Sequence, residues 1–187
     1  MWKNGGLTRR GLMRAFAAAA VVAAPTYANA FGFLRGAGDI RAMKMYSART
    51  GEQINMIYWA DGKYIPEALQ EISRFMRDWR NGEIKEIDKQ AIDIVSATHG
   101  LLDVSEPYLL ISGYRSPETN EMLRRRSKGV AKNSLHLSGK AADLRLKSRD
   151  VQQLARAAAS LGAGGVGRYS RSNFVHMDSG NVRSWGS

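Results

Sequence analysis

The sequence contains no cysteine, only 3 histidines, and 17 acidic residues against 28 basic ones. Without cysteine there is no disulfide framework, so a hydrophobic core, with or without a metal, must stabilise the chain alone. Long apolar runs are also missing. The alanine-rich stretch Ala15 to Ala24 is too short to cross about 30 Å of hydrocarbon, which excludes a multi-span membrane protein. A hydrophobic fraction of 44% in 187 residues excludes a disordered chain and suits one domain with its own core.

The first thirty residues read as an export segment. Thr8-Arg9-Arg10-Gly11-Leu12-Met13-Arg14 is basic, Ala15 to Ala24 is mildly apolar, and Ala28-Asn29-Ala30 is a small-x-small cleavage pattern. Paired arginines before such a region resemble a twin-arginine export signal. Residue 31 is Phe, so no cysteine follows for lipid attachment. Removing Lys3, Arg9, Arg10 and Arg14 lowers the net charge by four, from +11 to +7. A basic exported domain suits an acidic extracytoplasmic polymer such as the carboxylate-bearing stem peptides of peptidoglycan, and export argues against nucleic acid. Arg124-Arg125-Arg126 is the only basic run and reads as a solvated helix face.

Residues 31–40 form a glycine-containing lead-in to a domain over 41–187. Alternation over 41–50, the Thr50-Gly51-Glu52 turn and Ile54 to Trp59 predict a β-hairpin. A helix opens at Ile65-Pro66, carries Leu69, Ile72, Phe75, Met76 and Trp79 at 3–4 spacing, and is expected to end at Asn81-Gly82. A second helix spans Asp88 to Thr98, with His99 expected to cap its end. Tyr108 to Ser112 reads as a buried strand, Thr119 to Ser127 and Asp150 to Leu161 as helices, and Phe174 to Asp178 as the final strand. Leu135 to Leu146 reads as strand, turn and strand about Gly139. This order predicts an α+β single domain with helices packed on a mostly antiparallel sheet. The glycine run over 162–167 fits a dinucleotide fingerprint only superficially, because it follows a helix and precedes a strand.

The chemistry concentrates in Ser134-Leu135-His136-Leu137-Ser138-Gly139-Lys140-Ala141-Ala142-Asp143. A turn at Gly139 brings the His136 imidazole back towards the Asp143 carboxylate, and both are good zinc ligands. With so few histidines, His176 is the natural third ligand. Spacing alone leaves two readings open, a metal site or a satisfied His–Asp pair with His176 apart from it. Asp178 shares a strand face with His176, so it is a candidate to take a proton from an attacking water or to orient the imidazole. Arg115 is placed to bind a carboxylate or a developing oxyanion.

These residues resemble the D-Ala-D-Ala metallopeptidase family, which groups with lysostaphin-type enzymes and the hedgehog domain. Ser134-x-His136-x₂-Gly139-x-Ala141-x-Asp143, Val175-His176-Met177-Asp178 and Ser112-Gly113-Tyr114-Arg115-Ser116-Pro117-x₂-Asn120 carry the likeness. The Thr50-Gly51-Glu52 turn, Asp78-x-Arg80 and Val130-Ala131-x-Asn133-Ser134 are similar to its exported murein endopeptidases. The resemblance implies a Zn²⁺ held by His136, Asp143 and His176, an Arg115 contact to substrate or oxyanion, and peptidoglycan stem peptides as substrate in the periplasm. Some relatives place an acid three residues before the last histidine. Here that position is Asn173, so Asp178 is the expected base, and Ser134, Asn173 and Tyr114 are expected to contact substrate. The expected activity is endopeptidase cleavage of cross-links. A D-Ala-D-Ala carboxypeptidase and a non-catalytic murein-binding module are the alternatives.

Overall fold

The computed structural model describes residues 39–186. The expected export signal, and all but the last two residues of the lead-in, lie outside them. Eight strands form one sheet: β1 (Arg41–Tyr46), β2 (Gln53–Ala60), β3 (Lys63–Tyr64), β4 (Tyr108–Ser112), β5 (Ala141–Arg145), β6 (Gly165–Tyr169), β7 (Phe174–Asp178) and β8 (Arg183–Gly186). Their order across the sheet is β3-β2-β1-β4-β5-β7-β6-β8. The β1–β4 and β6–β8 pairs are parallel and the other five are antiparallel. Among the described residues four helices accompany them: α1 (Pro66–Phe75), α2 (Lys89–Leu101), α3 (Pro117–Arg126) and α4 (Val151–Ser160). The expected α+β, mostly antiparallel architecture is what the chain adopts.

Strand alternation separates the core from the functional face. Ala142 and Leu144 on β5, Val175 and Met177 on β7, and Val166 on β6 enter the hydrophobic core. Their neighbours along each strand therefore face the other way. Helix α2, buried from Ala91 to Thr98, packs on β1, β5, β7 and α4. Its start is fixed by Asp88, whose carboxylate accepts from the Ala91 N–H. Burying side chains such as Ile92, Ile94, Leu144 and Leu154 (each 2% exposed or less) contributes about 1.5–3 kcal/mol apiece.

Three local departures from the sequence reading matter. Helix α1 stops at Phe75, short of Asn81-Gly82, because the Met76 carbonyl accepts from the Tyr114 N–H at 2.8 Å. That contact presses the chain against Gly113, where a Cβ would lie 2.3 Å from the same carbonyl oxygen. The segment ahead of Gly139 is a one-turn 3-10 helix, Leu135–Ser138, not a strand. Strands β6 and β8 were not expected. Glycines in β6, and the short run and edge position of β8, hide the usual strand signature.

Candidate metal centre

One row of register partners crosses the sheet. Ser112 on β4 pairs with Asp143 on β5, Asp143 with His176 on β7, His176 with Gly167 on β6, and Gly167 with Trp185 on β8. Paired residues share a face, so Ser112, Asp143 and His176 stand side by side. His136 reaches them from the 3-10 helix. Its backbone N–H donates to the Ser134 hydroxyl at 3.4 Å, and Gly139 closes the turn at φ +68. Gly139 cannot carry a side chain here, since a Cβ would lie 2.4 Å from the Glu86 carbonyl oxygen.

The three side chains converge. His176 Nδ1 lies 2.8 Å and His136 Nε2 3.1 Å from Asp143 Oδ1, and the two imidazole nitrogens are 3.2 Å apart. Tetrahedral ligands on zinc bonds of about 2.0–2.2 Å stand roughly 3.4 Å from one another, so the donor set fits such an ion after small adjustments. His136 Nδ1 donates to the Gly113 carbonyl at 2.6 Å, which leaves the Nε2 lone pair facing the cluster. His136, Asp143 and His176 are 1%, 4% and 9% exposed, so they present donor atoms and little else to solvent.

Burial by itself would raise the Asp143 carboxyl, but the two histidines and their hydrogen bonds hold it well below the ordinary carboxylate range. For His136 burial dominates and pushes the imidazole down. For His176 burial pushes the same way, yet Asp143 and Asp178 together outweigh it and raise the group to about 9. Arg115 borders the cluster. Its Nε donates to Ser112 Oγ at 2.8 Å, and Nη2 bonds Asp143 Oδ2 and approaches His136 Nε2 at 3.2 Å.

Other expected site residues are placed variously. Ser134 lines the cleft above the cluster. The Tyr114 hydroxyl donates to Glu83 at 2.7 Å, and the side chain is buried outside that lining. Asn173 is exposed at φ +51 in the turn between β6 and β7, a conformation that asparagine tolerates better than most residues. Asp178 sits behind His176, where Oδ2 accepts from Nε2 at 2.9 Å, on the side of the ring away from Asp143. His99 donates to the Glu106 carbonyl at 2.7 Å near the end of α2, remote from the cluster.

The cleft over the cluster measures about 480 Å³, with Arg115 on one side and Tyr169, Phe174, Arg183 and Trp185 on the other. This second wall was missed by sequence reasoning. Its only signal is the i, i+2 spacing of Arg183 and Trp185, which carries meaning only once β8 is known to be a strand. The Tyr169 and Phe174 rings stack at 4.6 Å, and the Trp185 indole N–H donates to the Tyr169 hydroxyl at 3.0 Å.

Two imidazoles and a carboxylate that could hold a metal ion, set beneath a cleft and beside an arginine, are the kind of donor set a metal-dependent hydrolase uses. The family model for the peptidoglycan L,D-endopeptidase MepK matches residues 35–185, and the chain belongs to that family of metallopeptidases. It is 43% identical over 145 residues to the peptidoglycan L,D-endopeptidase MepK of Escherichia coli K12, covering 78% of this chain and 80% of that protein. The Shigella flexneri protein of the same name gives the same figures. A probable peptidoglycan L,D-endopeptidase MepK of Haemophilus influenzae is 36% identical over 148 residues, 78% of each chain.

Proposed function

We propose that this chain is a zinc-dependent endopeptidase that hydrolyses L,D-type cross-links between peptidoglycan stem peptides in the periplasm. The convergence of His136, Asp143 and His176, each imidazole turning one ring nitrogen inward, is the observation that carries the reading. In an L,D cross-link the carbonyl comes from an L-configured centre and the nitrogen from a D-configured one. That is a bond from diaminopimelate to diaminopimelate rather than from D-Ala to diaminopimelate. The basic, alanine-rich N-terminal segment supports export, and no described helix is long and apolar enough to cross a membrane.

His136 Nε2, one Asp143 oxygen and His176 Nδ1 would hold the ion. Zinc bound there supplies Lewis-acid polarisation of the scissile carbonyl and lowers the pKa of a water towards about 7. Arg115 is anchored through Nε and Nη2, while its Nη1 makes no hydrogen bond among the described residues. It is thereby aimed to bind a substrate carboxylate or the oxyanion that forms on the attacked carbonyl. Asp178, expected to be the base, has both oxygens occupied by donors, and we assign it to orienting His176.

The test is digestion of purified sacculi by zinc-loaded wild type and His136→Ala, with chromatography and mass analysis of the fragments. Loss of diaminopimelate-linked dimers with gain of monomers is expected for the wild type alone. Release of terminal D-Ala with dimers intact would make the protein a carboxypeptidase. Unchanged fragments with a zinc-loaded, folded protein would make it a binding module.

A further inference from the structure

Two glycines in five residues of β6 require an explanation, because glycine weakens a strand and contributes no packing. Gly165 pairs with Asp178 on one side and Arg183 on the other, and Gly167 pairs with His176 and Trp185. A Cβ on Gly165 would lie 2.4 Å from Arg183 Nη1 and 2.5 Å from Asp178 Oδ2, and one on Gly167 would lie 2.6 Å from Trp185 Cε2. Side chains of β8 therefore cross over β6 to reach those of β7, and the glycines are the openings that let them pass.

What crosses is specific. Arg183 donates through Nη2 to Asp178 Oδ2 at 2.7 Å and through Nη1 to Oδ1 at 3.0 Å, a two-pronged pairing. The Gly165 and Gly180 N–H groups also donate to Oδ1, at 3.2 and 2.8 Å. Asp178 is fully buried and surrounded by donors, so it acts as an acceptor only. In its neutral form, the one a metal ion binds, His176 must then carry its proton on Nε2 and present the Nδ1 lone pair to Asp143 and His136. Trp185 backs the same ring at 5.3 Å between centroids, and the Arg183 guanidinium lies 4.7 Å over the indole.

We infer that Arg183 and Trp185 are positioning residues for the metal centre, acting through the Gly165 and Gly167 openings to fix the tautomer and orientation of His176. The inference rests on the metal-site reading above. It also accounts for Gly165 and Gly167 within the glycine run over 162–167. Arg183 lines the cleft as well, so the competing role is direct contact with substrate.

Zinc affinity, measured by competition with a chromogenic chelator, separates these roles when combined with cleavage kinetics and with nitrogen NMR of the metal-free His176 ring above about pH 10, where it is neutral. Arg183→Gln is expected to lower zinc affinity roughly 10–100-fold, as loss of an outer partner of a ligand does. It should mix the His176 tautomers and lower kcat at saturating zinc, with KM within about twofold of wild type. Arg183→Lys, which keeps the charge but not the fork, should recover part of the loss. Gly167→Ala, which displaces the indole, should change zinc affinity in the same direction as Arg183→Gln. Wild-type zinc affinity with a raised KM in Arg183→Gln would make Arg183 a substrate contact and overturn the inference. So would wild-type behaviour throughout, or outright unfolding of Arg183→Gln, which would make it a sheet-edge fastener. A wild-type protein that binds no zinc at all would instead sink the metal-site reading itself.

Discussion

At the scale of single residues, charge and chemistry separate positions that look equivalent in the sequence. Asp143→Asn keeps the side-chain shape but removes the negative charge that both histidines and Arg115 face. Metal titration should show zinc binding weakened beyond the roughly 10–100-fold typical of an outer partner, because a ligand itself is altered. Asn173, by contrast, occupies a turn with positive φ and does not line the cleft. Asn173→Gly is therefore expected to hold KM within about twofold of wild type and stability within about 0.5 kcal/mol, since glycine adopts that conformation freely. A large rise in KM would restore it as a substrate contact. The clustering of His136, Asp143 and His176 was legible in the sequence because there are only 3 histidines to choose from and the Gly139 turn brings Asp143 back to one of them. The duty of Asp178 was only half legible. Periodicity correctly set it on the face of His176, but only the structure shows the Nε2 contact and the donors around it.

At the scale of elements, the arginine depends on how α3 begins. Asp78 Oδ2 accepts from the Ser116 N–H at 2.9 Å and from its hydroxyl at 2.8 Å, while Ser116 caps α3 through the Thr119 N–H. Arg115 immediately precedes this clamp. Asp78→Ala should cost about 2–3 kcal/mol in denaturant unfolding, the scale of hydrogen bonds to a buried charged group, and should lower kcat by loosening Arg115. Although burial raises the Asp78 carboxyl, its Thr119, Ser116 and Arg80 hydrogen bonds bring it below the ordinary value. A group depressed in the folded state stabilises fully above its unfolded pKa, about 4, and loses that contribution as pH falls through the folded value. The wild-type advantage over Asp78→Ala should thus be constant at neutral pH and shrink below about pH 4. Most elements could be read from periodicity and capping. Helix α4, for instance, begins at Asp150 with a complete capping box. The 3-10 turn escaped because four residues carry no period, and β6 escaped because its glycines answer to neighbouring strands rather than to its own propensity.

At the scale of the whole molecule, the sheet order is what assembles the site, and it was not legible. Nothing local in the chain says that β7 inserts between β5 and β6, or that β8 returns parallel to β6. With no disulfide available, a zinc ion held as proposed would cross-link the 3-10 helix, β5 and β7. Zinc at 100 times its Kd should add about 2.7 kcal/mol by mass action. For a domain of this size that amounts to a melting-temperature rise of roughly 5–10 °C. Calorimetry with and without a chelator checks this, and equal midpoints would show that zinc does not bind the native fold.

The opposite tautomers of the two histidines have a consequence for reach. His136 offers the far ring nitrogen and extends from a short helical turn, so small rotations about its side-chain bonds sweep the donor atom through a wide arc. The Gly113 carbonyl shortens that arc by holding the near nitrogen. His176 offers the near nitrogen from within a five-stranded neighbourhood of paired backbone, so its donor moves almost as little as the strand does. The centre is thus built from one long lever, tied down, and one short lever that needs only to be turned the right way. Glutamine spans about the length of the first and asparagine about that of the second, so the two histidines do not share a conservative replacement.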